Sequence, residues 1–251
     1  MLDALSRSWG IPLYKYLGGA VSEVETDITI PIEAPAHMAA LARQYAERGA
    51  TTLKLKVGTA VDDDIDRVVA VAEGAPDCDL IVDGNQGYTP SEALDLIAGL
   101  ADEDIQPILF EQPVHRHDLE GLRFVTERAG VPVAADESVH TAADALRVAR
   151  MGAASVINIK LMKSGIVEAL DIAAVARAAH LKLMVGAMME SRLAIAVSAH
   201  LVAGLGGFRY VDLDTPMLLA GDLFTGGYAQ DGMTYVLESV RAGHGVSLKD
   251  S

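Results

Sequence analysis

The 251-residue chain has one cysteine, Cys78. An internal disulfide and a multi-cysteine metal site are therefore excluded. Positive charge is also scarce: 20 Lys and Arg stand against 35 Asp and Glu, for a formal net charge of -15. A phosphate-binding surface needs a basic patch, so nucleic acid is not an expected partner. The acidic excess is spread along the chain and reads as a solvated, self-repelling surface. Apolar runs are short: none reaches about 18 residues without a charge, and no membrane-spanning helix is expected. Asp3 and Arg7 break up the N-terminal stretch, which lacks a signal-peptide core. A cytoplasmic protein is the resulting expectation.

What the chain does contain is alternation. Short β-branched runs predict strands at Val24–Ile30, Thr52–Val57, Leu80–Asp83, Ile108–Glu111, Val133–Ala135, Val156–Lys160, Leu183–Val185 and Tyr210–Leu213. Amphipathic stretches predict helices at Ala36–Arg48, Asp62–Glu73, Ser91–Leu100, Leu119–Arg128, Ala142–Met151, Ile166–Ala179 and Leu193–Ala203, with Ser91 and Thr141 as N-caps. A strand and a helix recur about every 25 residues, the signature of a parallel α/β array. Eight strands and seven helices favour one closed barrel over an open sheet. No G-x-G-x-x-G follows the first strand and no G-x-x-x-x-G-K-S/T occurs, so nucleotide-binding variants lose support.

Active sites of such barrels lie at the C-terminal ends of the strands. The second strand ends in Lys54-Leu55-Lys56, the third in Asp83-Gly84-Asn85 and the fourth in Glu111-Gln112-Pro113. The fifth is followed by Asp136-Glu137-Ser138, the sixth by Lys160 and the eighth by Asp212-Leu213-Asp214. One Asp after a strand is ordinarily a helix N-cap. Five consecutive apolar strands closing in charge are not explained by packing, because such charges are costly unless paired or liganded. Strands two and six of eight lie across from each other, so Lys56 and Lys160 should face one another over the mouth. Asp83, Glu111 and Asp136 fill the arc between them, and three converging carboxylates call for a hard divalent cation such as Mg²⁺. Lys54 and Lys56 share a face, and the charge of Lys54 should lower the pKa of Lys56.

The motifs K-x-K, D-G-N, E-Q-P, A-D-E-S and N-I-K-L-M-K resemble the enolase superfamily in its muconate-lactonizing branch. The resemblance implies a modified TIM barrel of (β/α)7β type. It makes Asp83, Glu111 and Asp136 the Mg²⁺ ligands, and Lys56 and Lys160 the acid/base pair for a proton next to a carboxylate, through an enediolate. Lys54 would help polarise the carboxylate, with Asn85 and Glu137 placed behind the metal. Asp212-x-Asp214, Gly186–Ser191 and Glu25–Ile30 resemble the dipeptide epimerases of this branch, in which the aspartates hold the free amino group of an L-Ala-D/L-Glu type substrate. Residues 1–22 resemble the helix and linker leading into the barrel from a capping domain, and 23–251 the barrel itself. Against the resemblance, either the sequence is a fragment with a misplaced start or the capping domain is absent, and the latter leaves a capless barrel with little activity as one alternative. Cycloisomerase, o-succinylbenzoate synthase and N-acyl-amino-acid racemase activities are others, since they keep the metal and lysines but do not need D-x-D. A homo-oligomer is compatible with the resemblance. A histidine–zinc hydrolase lacks H-x-H at the first strand end, and His115-Arg116-His117 reads as a polar loop.

Overall fold

Eight strands stand in sequence order in one parallel sheet: Ile28–Ile30, Thr52–Lys56, Asp79–Asp83, Leu109–Glu111, Val133–Ala135, Val156–Ile159, Lys182–Val185 and Phe208–Val211. They belong to a computed structural model that describes residues 1–249; the last two residues of the expected 23–251 barrel lie outside the described residues. Most strand residues are buried, as expected of parallel strands covered on both faces. The sheet curls until its first and eighth strands meet. There Asp27 N donates to Val211 O (2.9 Å) and Leu213 N to Thr26 Oγ1 (2.7 Å). Helices Pro35–Glu47, Val61–Gly74, Pro90–Asp102, Leu119–Thr126, Ala142–Met151, Leu161–Ala178 and Arg192–Leu205 connect successive strands, and the one-turn Thr215–Leu218 follows the eighth. The expected (β/α)7β order is the order observed.

The expected strand Val24–Ile30 is in fact two. Glu23–Glu25 pairs antiparallel with Thr234–Val236, which pairs in turn with Ala229–Asp231, while Ile28–Ile30 enters the barrel. The chain changes partner at Thr26-Asp27, where a hydroxyl and a carboxyl interrupt the apolar run. The first 25 residues are thus tied to the C-terminal region, a pairing that local pattern does not reveal. The expected Tyr210–Leu213 strand starts and ends earlier, at Phe208–Val211, so Asp212 and Asp214 follow it. Thr141 caps its helix as expected, in a capping box with Asp144. Ser91 does not: Thr89 is the N-cap, with Glu92 closing the box and Pro90 in the first turn. Proline fits there because its missing N–H would have no helical partner.

Two inward layers of side chains set up the site. Ile81, Leu109, Ala134, Val156, Met184 and Tyr210 pack together as an apolar plug. Two residues further along those strands, by the strand period of two, come Asp83, Glu111, Asp136, Asn158, Gly186 and Asp212. Apolar contact gives way to charge within one layer.

Behind the barrel, His200 joins distant parts of the chain. Tyr14 N donates to its Nδ1 (3.0 Å), and its Nε2 faces Gly227 O at 3.3 Å. Both contacts suit the neutral ring with the proton on Nε2, and burial pushes its pKa down to about 4. The ordinary value of about 6.5 applies when unfolded, so between these values the unfolded chain binds more protons. Stability from this group is full above pH 6.5 and falls as the pH drops toward 4, by about 3 kcal/mol in all. Urea unfolding of wild type and His200→Asn at pH 7, 5.5 and 4.5 should show their difference shrinking on acidification. A constant difference would rule this account out.

Candidate active site

Lys54 lies at the centre of the charged layer. Its Nζ is 2.6 Å from Asp212 Oδ2, 2.8 Å from Glu111 Oε2 and 3.1 Å from Asp83 Oδ2. Its side chain is 1% exposed. It therefore joins the second, third, fourth and eighth strands at the floor of the mouth. Burial alone would favour the neutral amine, but Asp212, Glu111 and Asp83 outweigh it and raise Lys54 well above its usual value. Lys56, two residues on, is 30% exposed at the side chain and meets the same Asp83 oxygen at 2.7 Å. The structure thus uses Lys54 as a fixed cation held by three acids.

Lys160 follows the sixth strand, and its Nζ lies 2.7 Å from Asp136 Oδ2. Asp136 holds this lysine above its usual range against the effect of burial. A Cβ on Gly186 would stand 2.9 Å from Lys160 Cε and 2.8 Å from Asn158 Nδ2. Glycine just after the seventh strand therefore leaves the space through which the Lys160 side chain crosses. Lys163 was not among the expected site residues, although it closes the N-I-K-L-M-K motif. Its Nζ donates to Asp136 Oδ1 (2.7 Å), to Asp136 O and to Asn158 O (3.2 Å). Asn158, also not expected, donates from Nδ2 to Glu111 Oε1 (2.8 Å). Asn158 was legible as a polar residue in an otherwise apolar strand, and Lys163 as a lysine in the first turn of the helix that follows.

Asp83, Glu111 and Asp136 stand at three successive strand ends, with Asp83 and Glu111 as direct register partners. Burial works against ionisation of Asp83, but Lys54 and Lys56 keep its carboxyl below the usual value. Asp136 is likewise held low against burial, by Lys163 and Lys160. Glu111 differs: burial and the neighbouring Asp83 push it up to about 7. Its Oε2 has no well-directed hydrogen bond, although Lys54 is near. The three carboxylates offer oxygen ligands. The set suits a hard divalent cation, whose charge would relieve the repulsion that raises Glu111. Asn85 and Glu137 are joined to each other, Asn85 Nδ2 donating to Glu137 Oε1 at 3.3 Å. Asn85 N also donates to Asp83 Oδ1 (3.0 Å).

The carboxylates that approach one another within 4.8 Å, among the described residues, are Asp27, Asp212 and Asp214. Asp214 occupies the N-cap position of Thr215–Leu218 but makes no side-chain cap. Its Oδ2 instead accepts from Thr29 N at 2.6 Å, which turns it into the barrel. Burial and then Asp212 push Asp214 up to about 6. Asp27 was not foreseen as a site residue; its signal is an acid inside the run Val24–Ile30. Glu190 Oε1 accepts from Met188 N at 3.0 Å, and Met188 Sδ lies 4.0 Å from Lys160 Nζ. His115 and His117 sit edge to face in an exposed loop.

Residues 37–251 match the model of the family described as Enolase C-terminal domain-like. The chain belongs to this family. It is 49% identical to an aromatic dipeptide epimerase of Herpetosiphon aurantiacus, over 99% of this chain and 70% of that protein. It is 47% identical to an L-Ala-D/L-amino acid epimerase of Populus trichocarpa, over 94% of this chain and 57% of that one. The crystal structure of a dipeptide epimerase from Enterococcus faecalis, complexed with Mg and the dipeptide L-Leu-L-Tyr, superposes with a TM-score of 0.93 at 41% identity. That match covers 98% of this chain and 70% of the other. The chain thus spans between 57% and 70% of the length of these relatives.

Proposed function

We propose that this protein is a Mg²⁺-dependent dipeptide epimerase of the L-Ala-D/L-Glu type, an isomerase that inverts the α-carbon of the C-terminal residue. The observation that carries the reading is the placement of two lysines against two different members of one carboxylate set. Lys56 rests on Asp83 and Lys160 on Asp136, with Glu111 between. The relatives named as dipeptide epimerases, and the complex with Mg and a dipeptide, support it.

Asp83, Glu111 and Asp136 would hold the Mg²⁺, which when bound supplies positive charge to the substrate carboxylate and so acidifies the neighbouring C–H. Lys56 and Lys160 then act from opposite sides of the α-carbon. One removes the proton to leave an enediolate, and the other delivers a proton to the far face. Lys54, held among three acids at the floor of the mouth, supplies a fixed positive charge that would help polarise the substrate carboxylate. Lys163 and Asn158 hold Asp136 and Glu111 in place. Asp212 and Asp214 take the substrate ammonium, a cation that their crowded negative charge favours over a neutral group. The apolar plug beneath keeps water away from the lower side of the site.

The test is proton exchange. Incubated with Mg²⁺ in D₂O, the protein should exchange the C-terminal α-proton of L-Ala-L-Glu and yield both epimers, read by NMR. The N-acetylated dipeptide, which lacks the ammonium, should react at least about 10²-fold more slowly, in line with the loss of a desolvated charge pair. Absence of exchange with a panel of dipeptides in folded, metal-loaded protein would reject the reading. Equal rates with the acetylated compound would favour the N-acyl-amino-acid racemase alternative.

A further inference from the structure

Asp27 stands apart from every other acid of the site. It lies where the chain leaves the Glu23–Glu25 strand for the first barrel strand, and it is 4% exposed. Neither of its carboxyl oxygens has a hydrogen-bond partner among the described residues. Yet one of them lies within 4.8 Å of an oxygen from Asp212 and one from Asp214. Those two acids are already anchored from other directions, Asp212 by Lys54 at 2.6 Å and Asp214 by the Thr29 amide at 2.6 Å. Asp27 has no such anchor. Its nearest described carboxyl neighbours are Asp212 and Asp214.

Such a group cannot carry a free negative charge at low cost. A buried carboxylate without a donor loses its hydration and gains nothing in return. The nearest cation, Lys54, is already shared among Asp212, Glu111 and Asp83. Burial, and after it the charge of Asp212, push Asp27 well above the usual carboxyl range. As a neutral acid, Asp27 has a hydrogen to donate, and carboxyl oxygens of Asp212 and Asp214 lie within 4.8 Å to accept it. A separation within 4.8 Å allows the proton to be shared directly or through one water.

We propose that Asp27 is a positioning residue of the ammonium subsite, a neutral carboxylic acid whose hydrogen bond holds the Asp212–Asp214 pair in the orientation that receives the substrate amino group. This rests on the reading of Asp212 and Asp214 as the ammonium site. The arrangement also limits the charge of the subsite. Three ionised acids would attract a second divalent cation. Two ionised acids next to Lys54 match a single ammonium group.

Two variants separate donation from charge. Asp27→Asn keeps a neutral donor of the same shape, and Asp27→Leu keeps the volume but donates nothing. Calorimetric titration of Mg²⁺-loaded protein with L-Ala-L-Glu should give Asp27→Asn a Kd within about threefold of wild type. Asp27→Leu should bind at least about tenfold more weakly. Both variants should melt no lower than wild type, because each removes a buried acid crowded by two neighbouring carboxyls. A purely structural role would instead lower the melting temperature of both. The proposal is overturned if Asp27→Asn binds as weakly as Asp27→Leu, if Asp27→Leu binds like wild type, or if both variants melt lower. Wild-type protein that binds the dipeptide without exchanging its α-proton would end the epimerase reading and leave this inference standing. Protein that does not bind the dipeptide would end both.

Discussion

Lys160→Ala is expected to lower epimerisation by at least about 10³-fold, near the upper part of the range for losing a positioned acid/base group. The side chain is nearly fully buried, and its Nζ contacts Asp136 at 2.7 Å. Asp136 keeps a second cation after the substitution, since Lys163 stands 2.7 Å from its other oxygen. The carboxylate set therefore survives, and the loss falls on proton transfer. The signature is stereochemical. One epimer of the dipeptide presents its α-proton to Lys160 and the other to Lys56. Lys160→Ala should still exchange the proton of the epimer that faces Lys56, and Lys56→Ala the proton of the other. Deuterium incorporation into each pure epimer, followed by NMR, separates the two. If both variants kept exchange of the same epimer, or if either still interconverted the epimers at the wild-type rate, the opposed-lysine mechanism would be wrong.

Lys54→Met is expected to be the most destabilising single substitution in the site. Methionine fills similar volume but leaves Asp83, Glu111 and Asp212 without the ammonium that now lies 2.6 to 3.1 Å from all three. Removing one partner of a buried charge cluster costs about 3–5 kcal/mol. For a chain of this size that corresponds to a melting temperature lower by roughly 10 °C. The deficit should shrink when Mg²⁺ is added, because a cation on Asp83 and Glu111 replaces part of the missing charge. A fall of less than about 2 °C in metal-free protein would mean that the acids take up protons at little cost. Thermal melts with EDTA and with excess Mg²⁺ supply both numbers.

Much of this site is legible in the sequence. Strand ends are marked locally: Leu109-Phe110-Glu111 is apolar until its last residue, Leu53-Lys54-Leu55-Lys56 alternates leucine with lysine, and barrel topology brings such ends to one face. The period of two placed Lys54 and Lys56 on one side, and both reach Asp83. Motif resemblance supplied the division into metal ligands, proton carriers and ammonium site.

By itself, the sequence determined the alternation of strands and helices, their closure into a barrel and the acids and lysines at the mouth. These follow from periodicity and from the cost of burying charge. The tertiary structure alone decided which charges are paired. Lys54 turned out to be a fixed cation shared by three strands, Lys163 the second holder of Asp136, and Asp214 an acid turned inward from a helix N-cap. It also separated Glu23–Glu25 from Ile28–Ile30 and left Asp27 beside Asp212 and Asp214. Such pairings depend on distances between residues up to 187 positions apart, as Asp27 is from Asp214 across the barrel seam. Local pattern records which face a side chain takes, and only the closed barrel sets what it meets there.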